Sequence, residues 1–371
     1  MEEQKYEELL PNEEEDDLSN DDLFNITSWG SDPSVRELIT MYKDGDIIKP
    51  ELQRKYVWDK KDASRFIESI LLGLPIPSIF LANRENETRL IIDGYQRIRS
   101  IVDFKSGIWS KNDSSFILEG KINKRWEKKT YEDLTCEDKR RFNNYTIHAI
   151  VFEQKSPKND SGLFQIFERI NTSGKPLNAQ EIRNCVSQGK MNNLLFELNK
   201  NKHWRKLYGD DTEDSRMKDL EYILRFFTLK DPELDLSVKS ISLKKSLNDF
   251  MDKYKEGEQY IFDNFKSDFL KCIDFIFDKF GTTAFFNLQN DLNVIRRKFH
   301  PTIFDSLMIA TSIALKNGYI GERNLENKRL ELLKDSEYRE CIYQGTMLTS
   351  NIKKRINKCI SMIYEMNPVY E

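Results

Sequence analysis

Segments that read as strands lie in the first 155 residues, whereas the rest of the chain carries long amphipathic segments with little strand signal. The helical segments lie around 178–200, 215–229, 239–278, 302–316 and 323–365, where apolar residues recur at helical rather than alternating spacing. This asymmetry predicts an α+β protein in three parts. An acidic tail covers 1–25, a small α/β domain covers 26–155, and a mostly α-helical domain covers 156–371. A chain of 371 residues is long enough to build two cores. No internal repeat is evident.

Charge is distributed as unevenly as periodicity. Residues 1–22 contain eleven Asp and Glu against Lys5 alone, so the net charge of −4 is the balance of an acidic tail and a basic body. Such a tail either solubilises the chain or folds back over a basic binding surface. No apolar run is long enough to cross a bilayer, and the acidic N-terminus has none of the features of a signal peptide. The five cysteines (Cys136, Cys185, Cys272, Cys341, Cys359) are odd in number and form no C-x-x-C pair. They predict free thiols in a reducing cytoplasm.

Along the first domain, order is expected from Ser31-Asp32-Pro33, read as an N-cap followed by proline in the first helical turn. Val35, Leu38, Ile39 and Tyr42 then form a helical stripe that Gly45 stops, and a short strand follows at Asp46–Ile48. Asp59 caps a second helix whose buried face is Ala63, Phe66, Ile67, Ile70, Leu71 and Leu74. Strands at 78–82 and 88–92 flank a polar turn, as in a hairpin. The second of these runs directly into Asp93-Gly94-Tyr95-Gln96-Arg97, after which Ile98, Ile101, Val102 and Phe104 continue at helical spacing. Two more strands are expected at 116–119 and 145–152.

The strand–Asp93-Gly94–helix junction is the strongest candidate for chemistry. Backbone N–H groups at a helix start favour an anion, and glycine permits close approach. Asp93 is expected at the cap, able to hold the loop or to bind Mg2+ through water. Arg97 in the first turn is slightly unfavourable to the helix dipole, which suggests that an anionic ligand compensates it. The same residues also fit a capped helix with solvated Gln96 and Arg97. Gln53-Arg54, bracketed by Tyr56 and Trp58, is able to contact phosphate or a base edge, or to form a surface loop packed by Trp58. Arg169, Asn171, Ser173 and Lys175 lie in a polar turn between helices, where Asn178 and Glu181 form a capping box.

Taken in order, the segments Pro50-x-x-Gln53-Arg54-x-Tyr56-x-Trp58, Leu74-Pro75-Ile76-Pro77, Ile92-Asp93-Gly94-x-Gln96-Arg97 and Phe167-x-Arg169-Ile170-Asn171-x-x-Gly174-x-Pro176-Leu177-x-x-x-Glu181 resemble the N-terminal domain of GmrSD-type restriction endonucleases. The resemblance runs from about residue 32 to 230. It implies a ParB/sulfiredoxin-like fold whose loop holds a nucleoside triphosphate, with hydrolysis licensing cleavage of modified phage DNA. On that resemblance Asp93, Gln96 and Arg97 are the candidate catalytic residues, and Asp93 the metal ligand. Gln53, Arg54, Gly94, Tyr95, Arg97, Arg169 and Asn171 are the candidate binding residues. Two departures stand out. Tyr95 occupies a position where the family usually has Gln, and the three histidines (His148, His203, His300) form no His-Asn-His nuclease.

The expected function is therefore a nucleoside triphosphate-binding and hydrolysing subunit of a restriction-type system, with Mg2+ as cofactor and DNA as partner. A separate nuclease subunit and a homo-oligomer are compatible partners, and a membrane is not. One alternative is a DNA or modified-DNA sensor without turnover, and another is a nicking nuclease using the same pocket. Lys121, Lys124, Arg125, Lys128 and Lys129 around Trp126, with Arg296-Arg297-Lys298 and Lys353-Lys354-Arg355, offer basic patches and an aromatic for stacking on nucleic acid.

Overall fold

A computed structural model of the chain describes residues 25–49, 58–84, 87–156, 161–170, 177–289, 292, 294–321 and 324–370. It is an α+β protein that divides into two compact units. Among the described residues, one unit comprises 25–177 with 184–186, and the other 178–183 with 187–370. Residues 161–170 thus fall in the first unit. No described helix is long and apolar enough to cross a membrane.

The first unit is built on a five-stranded sheet of order β1-β7-β3-β4-β2. Its strands are β1 (Asn25–Ser31), β2 (Ile47–Ile48), β3 (Ile79–Asn83), β4 (Arg89–Asp93) and β7 (Ala149–Ser156). The β3–β4 hairpin is antiparallel, whereas β2 runs parallel to β4 and β3 parallel to β7. A two-stranded ribbon, β5 (Ile108–Trp109) with β6 (Ser114–Ser115), stands apart from the sheet.

Among the described residues, the helices lying wholly in this unit are α1 (Val35–Asp44), α2 (Lys60–Leu72), α3 (Tyr95–Ser106), α4 (Cys136–Asn144) and α5 (Ser161–Ile170). The cap of α1 is Ser34 rather than Ser31. Its hydroxyl accepts from the Glu37 N–H at 3.3 Å, and Glu37 accepts the Ser34 N–H at 2.7 Å, a reciprocal capping box. Asp59 caps α2 by accepting from the Asp62 N–H at 2.8 Å, as the sequence predicts. The buried faces of α1, α2 and α3 meet in one core with Ile79, Leu81 and Ile91 from the sheet.

Three expectations need correction. Order reaches back to Asn25, because β1 pairs antiparallel with β7 from Asn25↔Ser156 to Ser31↔Ala149. The last strand starts at Ala149, four residues later than expected, because Tyr145 instead closes α4 and Ile147 donates its N–H to Pro33. Residues 116–119 are not a strand. Phe116 and Leu118 are fully buried but connect through isolated backbone bonds, such as Leu118 N–H to the Lys129 carbonyl at 2.9 Å.

The second unit is helical. Its elements are α6 (Ala179–Val186, which contributes residues to both units), α7 (Lys190–Asn199), α8 (Lys202–Tyr208), α9 (Lys218–Leu229), α10 (Leu243–Lys253) and α11 (Gln259–Phe280), followed by α12 (Pro301–Lys316), α13 (Leu325–Lys334), α14 (Ser336–Tyr343) and α15 (Thr349–Tyr364). A short hairpin, β8 (Phe286–Leu288) with β9 (Ile295–Phe299), interrupts the helices. The central α12 buries nearly all its surface, which is why its sequence is apolar all round rather than along one stripe.

Candidate functional site

β4 ends at Asp93, and the chain turns through Gly94 at φ 101° and ψ 7° before α3 begins. A side chain is disfavoured at that φ, and here it is also excluded by contact. A Cβ on Gly94 would lie 2.5 Å from Ile79 Cγ2 and 2.9 Å from Ile79 Cβ. The glycine is thus required by the first residue of β3, independently of any ligand. No side chain caps the start of α3.

Arg97 does not project freely from the first turn. Its guanidinium donates to the Pro77 carbonyl at 2.8 Å, to the Ser78 carbonyl at 2.9 Å and to the Asp93 carboxylate. Its side chain is 11% exposed and that of Asp93 27%. The anion that compensates an arginine at this position is therefore Asp93, and the pair ties the end of β4 and the entry to β3 onto α3. Asp93 is correspondingly not the cap, which is Gly94. Among the described residues no group of three or more His, Cys, Asp or Glu side chains forms a metal cluster.

The remaining loop residues take different positions. Gln96 accepts the Trp58 N–H at 3.2 Å, fastening the loop to the start of α2. Tyr95 is 8% exposed, so its ring faces the core rather than a stacking base. Burial pushes its phenol well above the usual range, and it shares a hydrogen bond with Tyr42. Arg169 lies exposed in the last turn of α5, a helix that packs against β4. Gln53, Arg54 and Asn171 lie outside the described residues, as do Ser173 and Lys175.

Two cations that sequence reasoning missed stand beside this turn. Lys49 follows β2, whose parallel pairing with β4 brings its C-terminal end to the same edge as Asp93-Gly94. Its Nζ lies 4.6 Å from the Tyr95 ring centroid. Burial, and then the charge of Arg99, lower the Lys49 pKa. Arg99, one turn beyond Tyr95 on α3, bonds Asp103 Oδ1 and the Ser110 hydroxyl at 2.9 Å each. It also shares a hydrogen bond with Tyr42. Cys185, fully buried in α6, is near enough to Lys49 to oppose the loss of its charge. The signal that could have found Arg99 is its i, i+4 relation to Tyr95. Lys49 carries no such local signal.

The basic patch near Trp126 also needs correction. Trp126 is 2% exposed and packs into the sheet-unit core, so it cannot stack on a base. Arg125 pairs with the buried Asp138 at 2.9 Å. Lys121, Lys124 and Lys128 remain exposed.

The parallel pair β2–β4 thus ends beside an uncapped helix start, flanked by half-buried Lys49 and Arg99. In open α/β sheets the carboxyl ends of parallel strands are where ligands bind. Residues 35–187 match the family described as GmrSD restriction endonuclease, N-terminal domain, and the chain resembles that domain over this span. No curated protein and no solved structure matches the chain.

Proposed function

We propose that a chain carrying a domain similar to the GmrSD N-terminal domain serves a restriction-type phage-defence system acting on DNA, and that it does so in the cytoplasm as the nucleoside triphosphate-binding subunit. The observation that carries the nucleotide reading is Lys49 and Arg99, partly desolvated beside the uncapped start of α3. Burial disfavours the charge on Lys49, and an anion bound beside it would offset that penalty. Phosphate oxygens satisfy that need together with the N-terminal dipole of α3.

The roles divide accordingly. Lys49 contacts the phosphates, Arg99 supplies charge behind it, and Arg97 positions the turn through Asp93 and the carbonyls of Pro77 and Ser78. Gln53, Arg54, Arg169 and Asn171 complete the pocket in this reading. Gln96 orients water if the triphosphate is hydrolysed. Mg2+ suits a single protein carboxylate with substrate phosphates and several waters, and Asp93 is the carboxylate at the loop. A separate nuclease subunit cuts the DNA in this scheme.

Phosphate release from each of the four common nucleoside triphosphates, with and without duplex DNA, tests the reading. Turnover that Gln96→Ala lowers while sparing affinity supports a hydrolytic subunit, because water orientation matters chiefly in the transition state. Binding without phosphate release reduces it to a nucleotide sensor. Metal-dependent DNA nicking by the chain alone would instead favour the nuclease alternative.

A further inference from the structure

The helical unit contains a cavity of about 490 Å3 that has no part in the reading above. Its size falls within the range of small-ligand pockets, roughly 300–1,000 Å3. Lys230, the C-cap of α9, lies at one side and pairs with Asp268 of α11. Lys316, the last residue of α12, comes within hydrogen-bonding reach of Lys230, and Lys271 adds a third ammonium to the lining. Asp268 is already shared, since it also accepts from the Ser312 hydroxyl at 2.8 Å. The other carboxylate at the rim, Asp231, pairs with Lys253 at 3.0 Å. Three lysines therefore face one available carboxylate.

The lining is also aromatic. Phe250 and Tyr254 lie 4.6 Å apart between ring centroids, Tyr254 and Phe265 5.0 Å, and Phe227 and Phe265 5.1 Å. Solvated lysines at helix C-termini are ordinary, because the dipole favours them there. Lys230 differs in being only 18% exposed and packed against a second lysine. Burial first, and then Lys316, push its pKa down to about 7. Lys316 and Lys271 are exposed at the mouth, and Lys230, held beside Lys316 with Asp268 as its carboxylate, is unfavourably placed unless a further anion offsets the like charges.

We propose that this cavity is a binding site for a small phosphomonoester carried on an aromatic or heterocyclic body. Once its binding has protonated Lys230, a phosphate dianion matches the surplus of two positive charges left when Lys230, Lys271 and Lys316 face Asp268. Lysine serves phosphate as a point charge and needs no bidentate geometry. The flat body lies on the Phe250, Tyr254 and Phe265 wall.

The test uses pyridoxal 5′-phosphate as a chemical probe on the full-length chain. A neutral lysine amine adds to the aldehyde carbon, water leaves, and the resulting imine is fixed as a secondary amine by hydride from borohydride. Labelling at pH 7 followed by peptide mapping should show Lys230 modified at least about tenfold faster than exposed Lys202 or Lys334, because far more of its amine is unprotonated. Inorganic phosphate should protect Lys230 and leave Lys202 unaffected. Lys316→Ala should remove most of that protection while the chain keeps its helical circular dichroism. Labelling of Lys230 at the rate of exposed lysines overturns the proposal. So does rapid labelling that phosphate leaves unchanged, which would mark an isolated reactive amine rather than a phosphate site.

Discussion

Replacing Gly94 by alanine tests whether β3 dictates the loop. The residue sits at φ 101°, beyond the small left-handed region that L-residues tolerate. Holding alanine in left-handed backbone costs roughly 1–2 kcal/mol. The added methyl would lie 2.5 Å from Ile79 Cγ2 and 2.9 Å from Ile79 Cβ, and overpacking of this kind costs about 1–3 kcal/mol. Together these predict a loss of about 2–5 kcal/mol from the sheet unit. With a urea dependence of about 2 kcal/mol per molar, the unfolding midpoint of that unit should fall by about 1–2.5 M. Ile79→Ala removes Cγ2 and so relieves part of the clash, though it leaves the backbone strain. The double variant should therefore be less destabilised than the sum of the singles, by about 1–2 kcal/mol. Urea titrations followed by tryptophan fluorescence measure this, with Trp29, Trp58, Trp109 and Trp126 in the sheet unit and Trp204 in the helical unit. A Gly94→Ala chain within about 0.5 kcal/mol of wild type, or strict additivity in the cycle, would refute the reasoning.

Two further outcomes follow from the same contacts. Arg97→Ala removes contacts to Asp93 and two carbonyls from a mostly buried guanidinium, and should lower sheet-unit stability by about 1–3 kcal/mol. Unchanged urea midpoints would show that Arg97 is not a strut. In the helical unit, burial holds His300 down to about 3, below its usual 6.5, with Nδ1 bonded to Thr302 and Nε2 unpartnered. A histidine kept neutral in the fold contributes stability that is present above its unfolded pKa and lost as pH falls below 6.5. Stability of the helical unit at pH 5 should be about 2 kcal/mol below that at pH 8 through this group, and His300→Gln should flatten that slope. Equal slopes in the two chains would contradict the assignment.

What the sequence made legible was local, and what it hid was tertiary. The stop at Gly45, the Asp59 cap and the β3–β4 hairpin were readable because caps, glycines and alternation are encoded within a few residues. β1 was not, since Asn25–Ser31 is polar and becomes a strand only by pairing with β7, more than a hundred residues away. The same division runs through the site. The Asp93–Arg97 turn stood out by its order of residues, but the carbonyls of Pro77 and Ser78 that hold Arg97 do not appear in any motif. Trp126 is offered for stacking and Tyr95 for ligand binding because sequence does not say which face of an aromatic-bearing segment meets the core. Lys49 belongs to no motif, and only the β2–β4 pairing gives it a place.

Calorimetric titration of nucleoside triphosphates with Mg2+ into wild type and Lys49→Met tests the central claim most directly. Lys49 bears on the proposed phosphates without holding the turn, so the variant should keep the wild-type urea midpoint. A charge-assisted contact contributes roughly 1.5–3 kcal/mol, so affinity should fall about tenfold to a hundredfold. If wild type binds none of the four nucleotides, or Lys49→Met binds as tightly as wild type, the start of α3 is not the phosphate site.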